Sequence, residues 1–246
     1  MSGDERAPRA AHVIPSPLSE GEIEVLGLMP DASNDTLLTR CRAGTEECLA
    51  IYKPQAGEAP LWDFPHGTLH RREVAAFVVA DALGWPNVPP TVLRDGPLGA
   101  GSLQLFVRFD AAEHYFTLAA ERADDFRRIA LFDLIVNNAD RKAGHCLLGE
   151  DGTIWVIDHG VCFSDEPKLR TVIWDFVDET IPGELLDDLT RFGDGLLTGS
   201  DARRSLDGLL DPIEVDATIE RIRRLLATGR YPEPEPGVRP IPWPPI

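Results

Sequence analysis

A helix that empties into an acid-bearing loop, followed by a short strand ending near a second acid, constrains this chain more than any other feature. The apolar run Phe126 to Val136 leads into Asn137-Asn138-Ala139-Asp140-Arg141-Lys142-Ala143-Gly144-His145. A β run over Thr153 to Ile157 then delivers Asp158, just ahead of Gly160. One acid on a loop and one at a strand end is what phosphoryl transfer needs: the first orients a hydroxyl and the second holds Mg²⁺. Such a chain must supply a lysine, a phosphate turn and a hinge elsewhere.

The first half reads as β-rich. Glu22 to Leu26 alternates polar and apolar residues, as a half-buried strand does. Pro30 to Asp35 is a turn cluster, Thr36 to Thr39 begins a second strand, and Cys48 to Lys53 makes a third, stopped by Pro54. Thr68 caps an expected helix over Leu69 to Leu83, closed by Gly84, with Val74, Phe77 and Val78 as its apolar stripe. Val88 to Leu93 and Ser102 to Val107 read as two further strands around a glycine-rich turn, Gly96 to Gly101. Beyond Asp124 the pattern is mostly helical, with helices expected over Glu184 to Phe192 and Ile213 to Thr228 and either loop or helix over Leu169 to Glu179. The expected fold is α+β and two-lobed, kinase-like, with an antiparallel β-rich N-lobe and a mostly helical C-lobe. Its divisions are a flexible lead-in (1–20), the N-lobe (21–110), the C-lobe (111–230) and a tail (231–246). The tail holds seven prolines in sixteen residues, so it is extended and not helical. It fits either an aromatic-lined groove on a protein partner or a clasp along its own surface.

Charge excludes some partners. With 24 Lys+Arg against 41 Asp+Glu, the net charge of −17 argues against nucleic acid and against an anionic bilayer. No run of about 18 apolar residues spans a membrane, Met1 to Ala11 lacks a signal peptide's apolar core, and four cysteines do not make a disulfide scaffold. A cytoplasmic location is the expectation.

Lys53 at a strand end and Glu73 on the following helix supply the missing cation: the lysine holds nucleotide phosphates and the glutamate fixes the ammonium. Each alone reads equally as a solvated surface group; in order with Asp140 and Asp158 they make a site. The turn Pro30 to Asp35 lacks the glycines of a phosphate loop. Ser33 and Asn34 are its candidate phosphate contacts, against the alternative of an ordinary turn.

Val88-Pro89-Pro90-Thr91, Gly101 to Val107, Asp133 to Arg141 and Ile157-Asp158-His159-Gly160 together resemble the phosphatidylinositol 3-/4-kinase family. The type II phosphatidylinositol 4-kinases look closest, with the HipA-like serine kinases more distant. The segment from Tyr52-Lys53-Pro54 to Arg72-Glu73-Val74 looks like that of a small related bacterial group. The resemblance runs from about residue 22 to residue 165. It implies ATP and Mg²⁺ as cofactors, Asp140 as the catalytic aspartate and Asp158 as the metal aspartate. It also implies Lys53 as the phosphate lysine, Glu73 as its partner, and Gln104, Phe106 and Val107 as the approach to an adenine-contacting hinge. The acceptor would be a hydroxyl on a protein, a soluble small molecule or an inositol lipid. One departure is His145, which stands where such kinases carry a second Mg²⁺-binding Asn; as a metal ligand it would favour Mn²⁺ or a single ion, since Mg²⁺ prefers oxygen. Another is the lack of a cysteine-rich palmitoylation segment, so no integral membrane association is expected.

Two alternatives stand beside the kinase. One is a nucleotide-binding pseudokinase or interaction module. The other is a zinc-stabilised domain using His145, Cys146, His159 and Cys162, although adjacent His-Cys ligands are awkward and no C-x₂-C pair exists. Trp62, Trp85 and Trp155 read as packing residues.

Overall fold

The computed structural model describes residues 13–30, 34–237 and 239–246. Seven-residue β2 (Leu37–Ala43) pairs antiparallel with β3 (Glu46–Pro54), from Leu37 opposite Tyr52 to Ala43 opposite Glu46. With β1 (Glu22–Leu28), β4 (Thr91–Gly96) and β5 (Gly99–Leu105) they form one sheet in the order β1-β2-β3-β5-β4. Alternation sends Cys41, Ala50, Tyr52 and Leu103 to one face, where they bury against Leu18. That leucine lies on α1 (Ser16–Glu20), so the end of the expected lead-in is a helical turn with a buried anchor.

The glycine-rich stretch is mostly strand, where a turn was expected. Gly99, Ala100 and Gly101 belong to β5, paired with Gly96, Asp95 and Arg94, and the strands start and stop three or so residues from where turn chemistry places them. A Cβ at Gly101 would come within 2.5 Å of the Lys53 carbonyl, and one at Gly96 within 2.7 Å of the Tyr52 ring. These glycines serve close strand approach, which turn chemistry alone does not reveal.

Helix α2 (Leu69–Leu83) has the expected bounds, and Gly84 ends it at φ +76°, donating to Ala80 O at 2.8 Å. Its N-terminus is held differently. The Thr68 hydroxyl donates to Pro65 O, and Glu58 Oε1 instead accepts from the His70 N–H at 2.8 Å. The helix is buried almost all round, lying against β4 and β5 on one side and against α5 (Gly183–Thr198) and α6 (Asp201–Leu209) on the other. Arg72 ties it to the second lobe, reaching Glu214 Oε1 at 2.5 Å and Cys162 O at 2.6 Å.

Strand β5 ends at Leu105, and Phe106 to Arg108 lead to β6 (Phe109–Asp110), which pairs with β7 (Cys146–Gly149); β7 pairs in turn with β8 (Ile154–Val156) to make a second, three-stranded sheet. Short α3 (Tyr115–Leu118) precedes α4 (Ala123–Val136), whose Phe126, Leu131, Phe132 and Ile135 are fully buried in the main core. Helix α7 (Pro212–Thr228) closes that core with Val215, Ile219 and Ile222. Residues 169–179 form no helix. Helix α6 was not expected, because its apolar stripe is short, Ala202, Leu206 and Leu209, and Leu206 is its one buried residue. Trp62 is 93 % exposed and is not a packing residue; the Lys168 ammonium lies 5.3 Å from its ring centre. The proline-rich tail runs along the second lobe: Pro240 O accepts from Thr171 N and Trp174 Nε1, and Pro245 O from Ala143 N at 2.8 Å. Among the described residues no helix is long and apolar enough to cross a membrane.

Candidate active site

Strand β3 carries Lys53 to the cleft between the lobes, where its ammonium donates to Glu73 Oε1 and, at 2.9 Å, to Asp158 Oδ1. Glu73 is 2 % exposed, and its other oxygen accepts from the backbone N–H of His159 at 3.0 Å. One buried carboxylate thus fixes both the lysine and the backbone just past Asp158. Burial alone would pull the Lys53 ammonium down, but Asp158 and Glu73 raise it above its ordinary value. The Asp158 carboxyl is held far below its usual range, chiefly by Lys53 and also by His145. Asp158 takes φ +62°, a left-handed conformation uncommon for a side chain larger than glycine.

Asp140 comes from the loop after α4. Asn137 ends that helix at φ +52°, and its amide donates to Ser164 O and Glu166 O. Asn138 Oδ1 accepts from the Asp140 N–H at 3.0 Å, which sets the direction of the aspartate. Burial raises the Asp140 carboxyl above its ordinary value; Lys142, at 3.3 Å, offsets part of this and Asp158 adds to it. Lys53, Glu58, Glu73, Asp140 and Asp158 line one cavity of about 60 Å³, with Asn34 at its edge.

Beneath these groups lies a buried knot. Arg141 is fully buried; it donates to both oxygens of fully buried Asp133, at 2.9 to 3.2 Å, and to Ile157 O at 2.9 Å. It also meets His159 Nε2 at 2.7 Å, and Asn138 donates to Asp133 Oδ1 at 3.0 Å. The knot joins α4, the Asp140 loop, the backbone just before Asp158 and the His159 ring just after it.

His145 sits at 3.3 Å from Asp158 Oδ2, and its Nδ1 accepts from the Lys142 N–H. Burial draws it down to about 4, against the pull of Asp158, and burial holds His159 well below its ordinary value too. Both rings are therefore neutral in the fold but protonate near 6.5 in the unfolded chain. The contribution of His145 to stability is full above about pH 6.5 and is lost as the pH falls from there toward about 4, and His159 acts in the same direction. Thermal melts should show Tm falling across that interval, and His145→Asn should flatten the fall; an unchanged slope in the variant would assign it elsewhere.

Other expected contacts are placed as follows. The buried Gln104 amide donates to Thr91 Oγ1 at 2.9 Å. The Phe106 N–H donates to Leu49 O, and Val107 follows it in the segment joining the two sheets. Asn34 Oδ1 accepts from the Ala59 N–H at 2.7 Å, and Ser33 lies outside the described residues. The zinc reading fails on the described residues: none form a group of three or more metal-ligating side chains, and Cys146 and Cys162 are buried in the main core. Sequence reasoning missed Glu58, Lys142 and the pairing of Asp133 with Arg141. An acid inside the apolar stretch Ile129 to Val136 that ends the helix was the available signal for Asp133.

No family model matches the chain. It is 38 % identical to Protein Rv2133c of Mycobacterium tuberculosis, over 92 % of this chain and 93 % of that protein. The chain belongs to that protein's family. It is also 33 % identical to Phosphatidylinositol 4-kinase gamma 4 of Oryza sativa subsp. japonica, but over 42 % of this chain and only 22 % of that kinase's length. Among solved structures it is similar to the Helicobacter pylori proinflammatory kinase CtkA, with TM-score 0.54 and 12 % identity, covering 86 % of this chain and 93 % of that one. This likeness shows the fold: α+β, two-lobed and kinase-like.

Proposed function

We propose that this protein is an ATP-dependent phosphotransferase that moves a γ-phosphoryl group to a hydroxyl acceptor. The observation that carries the reading is Lys53 held between Glu73 and Asp158, with Asp140 on the wall of the same cavity. In this reading the Lys53 ammonium binds phosphate oxygens. Asp140 accepts the hydroxyl proton as the acceptor oxygen bonds to the γ-phosphorus and the bond to the β-phosphate oxygen breaks, releasing ADP. Its raised pKa suits a group that must take a proton. The hard carboxylate oxygens of Asp158 fit Mg²⁺. When bound, that ion would neutralise phosphate charge.

The rice relative's name brings an inositol lipid forward as one acceptor, and a protein hydroxyl or a soluble small molecule are the others. The test is incubation with radiolabelled ATP and Mg²⁺ or Mn²⁺, scoring autophosphorylation, ATP hydrolysis and transfer to lysate proteins, lipids and small molecules. Label transfer dependent on divalent ion is expected. ATP binding with no transfer or hydrolysis in any arm would favour the pseudokinase reading instead, which His145 in place of asparagine motivates.

A further inference from the structure

Kinase-type sites that use two cations hold the second with an asparagine of the catalytic loop, five residues after the catalytic aspartate. Here that position is His145, and the surrounding atoms fix its tautomer. Its Nδ1 accepts from the Lys142 backbone N–H at 3.3 Å, so in the neutral ring the hydrogen resides on Nε2. Nε2 is the atom that faces Asp158, 3.3 Å from Oδ2. To ligate a cation there, the ring would have to move its hydrogen to Nδ1, where it would confront the Lys142 N–H, donor against donor. The other oxygen of Asp158 is already engaged by the Lys53 ammonium at 2.9 Å. The carboxylate therefore has a cation on one oxygen and an N–H-bearing ring beside the other. The imidazole occupies ground that a second ion would need.

We propose that His145 is a positioning residue that presents its Nε2 hydrogen to Asp158, so that the site takes one divalent cation per nucleotide where two would otherwise bind. This rests on the phosphotransferase reading for the nucleotide, but the tautomer does not. Mg²⁺ chemistry agrees, because that ion takes oxygen ligands in preference to imidazole. Among the described residues there is also no preformed group of three or more metal-ligating side chains, so bound phosphates and water must complete the shell of any ion.

Two measurements test it. The first is ¹⁵N NMR of the histidine side chains in the protein free of metal and nucleotide, with the His145 signals assigned by their loss in His145→Asn and, independently, in His145→Gln. The Nε2–H tautomer is expected, and the Nδ1–H tautomer would overturn the proposal. The second counts bound Mn²⁺ by electron paramagnetic resonance in the presence of a non-hydrolysable ATP analogue. One Mn²⁺ per protein is expected in the wild type, and two in His145→Asn, where an amide oxygen becomes available. Two in the wild type, or one in the variant, would overturn His145 as the residue that sets the count. If the analogue does not bind at all, the phosphotransferase reading falls, and the tautomer measurement still decides what His145 does.

Discussion

Asp140→Asn should lower phosphoryl transfer by about 10²- to 10⁴-fold, the range for losing a positioned general base, and leave ATP affinity unchanged. The amide keeps the shape of the carboxylate, and Asn138 still receives the residue's backbone N–H. What disappears is the group that takes the hydroxyl proton. The variant also removes the negative charge facing Lys142, so that lysine gains freedom without leaving a buried ion behind. Single-turnover transfer and equilibrium binding of a fluorescent ATP analogue separate the two effects. Transfer at the wild-type rate would remove Asp140 from the chemistry, and a matching loss of ATP affinity would make it a binding residue.

The largest effect on stability is expected at Arg141. Arg141→Ala leaves the Asp133 carboxylate fully buried without its ion partner, a change that costs about 3–5 kcal/mol. Domains are stable by only about 5–15 kcal/mol, so the variant should lose much of its margin. The double variant Asp133→Leu, Arg141→Met removes both charges and fills similar volume, so it should be more stable than Arg141→Ala alone. Activity separates the knot's two roles. The double variant should recover Tm yet remain slow, because Ile157 O, just before Asp158, and the His159 ring, just after it, both lose Arg141. Full activity in a folded double variant would make the knot purely structural. Chemical denaturation and transfer assays on the same samples distinguish these outcomes.

Local signals carried far in this chain. The helix over Leu69 to Leu83 was legible because a glycine stop and a capping-type residue bracket an apolar stripe, and α4 because its apolar run is long. Lys53, Glu73 and Asp158 were legible as types in order, and the fold brings them together. What was not legible is side-chain pairing across long separations. Arg141 and Asp133 read as one loop cation and one helix acid, and nothing local says that both are fully buried. Glu58, which holds the start of α2, lies in a loop whose sequence has no cap signature. His145 was read as a candidate metal ligand because its type permits ligation; which ring nitrogen faces the acid is decided by a backbone N–H three residues earlier. The glycines of β5 misled for the opposite reason. Glycine marks turns and close approaches alike, and only the neighbouring ring and carbonyl say which.

Helix α2 offers little slack as a moving part. Outward rotation would release Lys53 and the His159 N–H from Glu73 together, strip Arg72 from Glu214 and Cys162 O, and expose apolar residues now enclosed on most sides. Those losses fall in a single step, so the helix behaves as a keystone and not as a throttle. A partner that adjusts the rate by degrees would have to act on the loops around the cleft, and one that shifts α2 would switch the site off outright.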